Sequence, residues 1–199
     1  MPSTLDNVTL YARMENEAVV YGESNIAQSG NHVRQVYIQP ESVAAYPEAL
    51  KAILAADLIV IGPGSLYTSL LPNLLVKGVC EAIRQSRAPK VYVCNVATQP
   101  GETDGYTLAD HINALRHHVG DGLFAYVVAN SNVNAVLPEE WGNKVVSLDV
   151  ERIQGVKVVL GDVVNEEYRL RHDPKKLAAL LMDVYYTTKG RNSRTSRVR

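Results

Sequence analysis

The chain has 199 residues, 46% of them hydrophobic and 21% charged, with 20 Lys+Arg against 21 Asp+Glu. That length accommodates one domain with a sizeable core, and the composition is that of an ordinary globular protein. No apolar run approaches the ~18 residues a membrane span requires, and an overall acidic body argues against a nucleic-acid-binding face.

Five basic residues (Lys189, Arg191, Arg194, Arg197, Arg199) lie in the last eleven, so the rest of the chain is net −6. This predicts an α/β domain over 1–187 followed by a basic, disordered tail over 188–199. Cys80 and Cys94 fall inside apparent helix and strand, away from metal-ligand spacing. They read as buried, reduced thiols, and with no leader-like start they point to the cytoplasm and to no membrane insertion.

Residues 8–22 alternate loosely around Glu15-Asn16-Glu17, which predicts a β-hairpin, and residues 33–38 a further strand. Pro47 opens a helix through Ala56 with Leu50, Ile53 and Leu54 on one face. A buried strand over 58–61 then runs into Gly62-Pro63-Gly64-Ser65. After Pro72 a helix places Leu75, Val79 and Ile83 inward, and residues 91–94 form a strand that stops at Asn95. A helix from about Thr107 follows, then a strand over 124–129 that stops at Asn130-Ser131-Asn132. Weaker strands are expected at 145–146 and 156–160. Asp173-Pro174 reads as an N-cap and first helical residue, opening a helix to about Tyr186. Alternating strands and helices at this spacing predict an α/β fold of βαβ units, a mostly parallel sheet with flanking helices, beside the small hairpin element.

Three strands ending in polar clusters would meet along one sheet rim, where α/β proteins bind ligands. Gly62 and Gly64 allow close backbone approach, and Ser65, Thr68 and Ser69 add hydroxyls to free N–H groups, a setting for an anion. The other account of the same residues is a plain strand-to-helix turn. In the loop 98–105, Glu102 and Asp104 fit a metal ion or sugar hydroxyls, or else Thr103 or Asp104 caps the next helix. His111, His117 and His118 lack a third ligand at zinc spacing and read as solvent-facing or core-edge groups. Arg171 suits either a phosphate clamp or a carboxylate pair. Ser65 has no His-Asp partners in a recognisable order, so no catalytic residue is assigned. Trp141 either stacks on a base or sugar or packs as an ordinary aromatic.

Residues 56–69 with 71–76, then 88–95 with Thr98-Gln99-Pro100-Gly101-Glu102-Thr103-Asp104-Gly105, resemble the YvcK/CofD-like family, the gluconeogenesis factor group. Gly22-Glu23-Ser24-Asn25-Ile26 and Leu170-Arg171-His172-Asp173 extend the resemblance to all but the basic tail. It implies a Rossmann-like open sheet, in a bacterial, cytoplasmic protein of cell morphology and envelope synthesis that binds a nucleotide sugar of the UDP type. By position, Gly62, Gly64, Ser65, Leu66 and Ser69 would line one loop of the site. Asn95, Gln99, Gly101, Glu102, Thr103 and Asp104 would form the facing loop, with Arg171 reaching the phosphates. No metal or cofactor is implied for a binding protein. The alternative is a CofD-like transferase, with Mg²⁺ at Asp104 or Glu102, moving a phospho-linked group from a nucleoside diphosphate donor. Family members open with a Gly-rich turn and βαβ units that have no counterpart here. The expectation is a truncated form, its gap filled by a complementing segment or by self-association.

Overall fold

A computed structural model describes residues 1–134 and 137–195. The alternating N-terminal segments form β1 (Thr9–Met14), β2 (Val19–Tyr21) and β3 (Val33–Gln39). β1 pairs antiparallel with both others, giving the order β2-β1-β3, so the expected hairpin is present and β3 widens it. Ala12, Met14, Val36 and Ile38 point into the core. Tyr21, Tyr11 and Tyr37 are direct cross-strand partners, with ring centroids 5.8 and 5.4 Å apart. A short helix α1 (Glu23–Ala27), which no sequence pattern announced, links β2 to β3.

The second sheet is parallel throughout: β4 (Ile59–Ile61), β5 (Lys90–Val93), β6 (Tyr126–Asn130) and β7 (Lys157–Gly161), side by side in chain order. Its strands alternate between two apolar layers, as the two-residue side-chain period requires. Ile59, Ile61, Tyr92 and Val127 join the main core together with Leu108, Ile112 and Leu115 of α5 (Leu108–Val119). Val91, Val93 and Val128 instead face Leu177 and Val184 of the last helix. The α/β class is therefore the one predicted. No helix among the described residues is long and apolar enough to cross a membrane.

Helix α2 (Pro47–Ala55) starts at its proline as expected. The single helix predicted after Pro72 is instead broken. A π-turn (Leu66–Leu70) leads into α3 (Leu71–Leu74), and α4 (Val79–Gln85) begins afresh after Gly78, whose φ of 95° interrupts the helix. Residues 145–146 make only an isolated bridge between Val145 and Ala97. The last helix, α6 (Pro174–Thr195), opens at Asp173 as predicted, the carboxylate accepting the amides of Lys175 and Lys176 at 2.9 Å. It continues past Tyr186 to Thr195, so residues 188–195 are helical where a disordered tail was expected; 196–199 lie outside the described residues.

Candidate functional site

At the carboxyl ends of β4 and β5 lies a cavity of about 530 Å³, lined by residues from four separate segments. The first is the turn after β4, contributing Pro63, Gly64 and Ser65. It is held by Asn95 at the end of β5, whose Oδ1 accepts the Gly64 N–H at 3.3 Å while Nδ2 donates to the Gly64 carbonyl at 3.0 Å. Gln99 continues the lattice: its Nε2 donates to Ser65 Oγ at 2.7 Å, and its Oε1 accepts from Asn95 Nδ2 at 3.2 Å. The two facing loops are thus one hydrogen-bonded unit on the predicted rim.

Arg171 arrives on a third segment, the connection from β7 to α6. The bridge between Val164 and His172, with Asp173 N–H donating to the Val163 carbonyl at 2.7 Å, folds this segment back. His172 Nε2 lies 3.1 Å from the Cys94 carbonyl and ties the segment to the end of β5. Asn143 comes from the fourth. Its Nδ2 donates to the Thr98 carbonyl at 2.7 Å, and Thr98 N–H donates to the Lys144 carbonyl, also at 2.7 Å.

Of the predicted ligand residues, Gly64, Ser65, Asn95, Gln99 and Arg171 line the cavity, and the others do not. Gly62 lies beneath it: φ is 89°, and an added Cβ would stand 2.8 Å from the Val93 carbonyl. Leu66 is fully buried, and Ser69 stands outside the lining, its carbonyl accepting from Asn73. Gly101, at φ 80°, packs so tightly that a Cβ would overlap the Ala27 carbonyl. Thr103 is buried, with Oγ1 accepting the Gln99 N–H at 2.9 Å, and Asp104 accepts the Gly101 N–H at 2.6 Å. Neither caps α5; Thr107 does, in a capping box with Asp110.

Glu102 is the largest departure. Only 3% exposed, it accepts Thr68 Oγ1–H at 2.8 Å and the Tyr67 N–H at 3.4 Å. Burial raises its pKa above the usual carboxylate range, and those hydrogen bonds oppose the rise. The expectation that Thr68 and the free amides of the turn would cradle an anion is also corrected. Thr68 and the Tyr67 N–H serve Glu102, and the Gly64 N–H serves Asn95.

The third polar strand end does not join the cavity either. Asn130 turns back on its own strand exit, bonding Asn132 and the Val163 N–H. Trp141 is 46% exposed and outside the lining. His111 is buried, its Nδ1 2.8 Å from the Thr107 carbonyl, and His118 Nε2 accepts the Val36 N–H at 3.0 Å. Both are built into helix α5 packing, and among the described residues no group of three His, Cys, Asp or Glu could hold a metal ion.

What the cavity offers is one guanidinium, one imidazole, three side-chain amides and a hydroxyl, with no carboxylate. That set suits an anion bound by charge-assisted hydrogen bonds. It does not fit Mg²⁺, which is held through carboxylates. Leu170, His172 and Asn143 went unassigned as site residues. Asn143 carries no motif, and its place depends on a pairing with residues some 45 positions earlier in the chain.

The profile of the CofD family, described as 2-phospho-L-lactate transferase CofD, matches residues 1–164. The chain is 42% identical over 194 residues to a protein of Bacillus subtilis called gluconeogenesis factor, covering 92% of this chain and 60% of that protein. A protein of the same name from Listeria monocytogenes is 41% identical over 186 residues, with 92% and 58% covered. A crystal structure of a UPF0052 family member from Bacillus halodurans superposes with a TM-score of 0.86 at 39% identity, covering 92% of this chain and 61% of that one. The chain thus spans about three fifths of the length of these relatives. On this match, the chain belongs to the CofD family and is similar, within it, to the proteins called gluconeogenesis factor.

Proposed function

We propose that the cavity binds the diphosphate of a nucleotide sugar of the UDP type. In this reading the chain serves as the ligand-sensing part of a gluconeogenesis factor, acting on cell shape and envelope synthesis. The observation that carries this is Arg171 converging on the ends of β4 and β5 with the amides of Gln99 and Asn143, each of which bonds the protein through one N–H, and with no acidic group among them. A diphosphate brings only acceptors and negative charge, which such a lining satisfies without a metal ion. The partly exposed, apolar Leu170 beside it offers a contact for a base or sugar face.

Titration calorimetry with UDP-glucose tests the reading. Saturable binding that falls at least tenfold, ~1.4 kcal/mol, in Arg171→Ala supports it; no heat with the folded chain overturns it. The family description favours a second reading, a transferase. That chemistry calls for Mg²⁺-dependent product formation from a nucleoside diphosphate donor, and the lining of this cavity does not supply the carboxylates for it.

A further inference from the structure

His172 lines the cavity beside Arg171, and its ring is constrained by one protein bond. A carbonyl oxygen only accepts, so the contact with Cys94 places a hydrogen on Nε2. In the neutral ring Nδ1 is then the bare acceptor nitrogen. No protein group among the described residues bonds Nδ1, and it is not sealed from solvent, so it is open to a ligand.

Few charges surround this ring. Arg171 is the other charged side chain of the lining. Asp173, next in the chain, is committed to the amides of Lys175 and Lys176, and Asp162 pairs with Lys176 at 3.3 Å. The Cys94 thiol behind it is kept neutral by burial, which pushes its pKa up to about 12. Burial lowers the His172 pKa, opposed by the bond to the Cys94 carbonyl. Burial thus favours the neutral form of the free ring, and the cavity lining holds no carboxylate that would favour the charged one.

We propose that His172 is the proton-linked half of an anion clamp whose permanently charged half is Arg171. A phosphate oxygen facing a neutral Nδ1 sets lone pair against lone pair. Once the ring takes a proton from solvent, the same contact becomes a charge-assisted hydrogen bond. Ligand binding then carries the uptake of one proton, and no covalent bond changes. This rests on the diphosphate reading of the cavity. A sugar hydroxyl at the same place would donate to the neutral ring and take up no proton.

The test is calorimetry with UDP-glucose from pH 6 to 8, in pairs of buffers that differ in heat of ionisation. Its diphosphate is a diester with no group titrating in that range, so any linked proton belongs to the protein. The expected result is an affinity that falls as pH rises, by up to about tenfold per unit, with net proton uptake. Both effects should vanish in His172→Gln, which keeps a donor for the Cys94 carbonyl. Affinity independent of pH, or a slope that survives in His172→Gln, overturns the inference. Absence of UDP-glucose binding at every pH overturns the nucleotide-sugar reading alone. The His172 resonance is then titrated by NMR with and without inorganic pyrophosphate, His32, His111, His117 and His118 serving as references. A midpoint raised only at His172 supports the proton-linked clamp, and an unmoved midpoint overturns it.

Discussion

Asn95 grips Gly64 at both its N–H and its carbonyl, at 3.3 and 3.0 Å, so a side-chain amide takes the place of a neighbouring strand beyond the end of the sheet. β4 and β5 pair in parallel through Ile61 and Tyr92, and this grip continues their alignment into the two loops that line the cavity. Asn95→Asp turns the donor Nδ2 into an acceptor facing the Gly64 carbonyl. The expected cost is about 1–3 kcal/mol in urea unfolding, together with weakened UDP-glucose binding. Unchanged stability and affinity would mean that the turn keeps its shape without Asn95.

The two glycines of that turn separate by the same measurement. Gly62→Ala introduces both a strained backbone and a Cβ 2.8 Å from the Val93 carbonyl. Gly64 shows no such φ, and a Cβ there meets only Leu70 and Ser69 side-chain atoms at 3.4 Å or more. Gly62→Ala should cost ~1–3 kcal/mol of unfolding free energy, and Gly64→Ala well under that. Equal losses would contradict the assignment of Gly62 to structure.

Glu102 ties the 98–105 loop to the π-turn, and its ionisation is linked to stability. Its pKa is raised in the folded chain, so its favourable contribution is complete below the unfolded pKa and is lost as pH rises through the folded value. Unfolding experiments from pH 4 upward should show that loss in the wild type, and Glu102→Gln should flatten it. Glu102→Ala, which strands the Thr68 hydroxyl and the Tyr67 N–H, should cost about 1–3 kcal/mol across the range.

Chelation separates the two functional readings. Because Glu102 and Asp104 are spent on protein hydrogen bonds, EDTA should leave the UDP-glucose affinity within about twofold, and added Mg²⁺ should not restore binding to Arg171→Ala. An affinity that requires Mg²⁺ would favour the transferase.

The fold class and the rim of the cavity were legible in the residues because they rest on local signals. Alternating or continuous apolar runs mark strands, and glycine and asparagine mark where those strands stop. Gly64, Ser65 and Asn95 stand at such strand ends and line the cavity, while Gln99, named by the family resemblance, lines it from the loop beyond. Arg171 stood between two accounts that no local pattern separates. The return of the chain after β7 sets it in the cavity lining, a position no local pattern encodes.

The facing loop shows the opposite case. In sequence Glu102, Thr103 and Asp104 are polar residues in a glycine-rich loop, the usual look of a ligand site. Whether such a side chain turns outward to a ligand or inward to an unpaired backbone donor depends on what lies behind the loop. Here Thr68, the Tyr67 N–H and the Ala27 carbonyl lie there, all distant in the chain. Periodicity fixes which residues are buried within an element. Only the packing of one element on another decides which polar group meets which, and that is why Asn143 and His172 line the cavity while Glu102 does not.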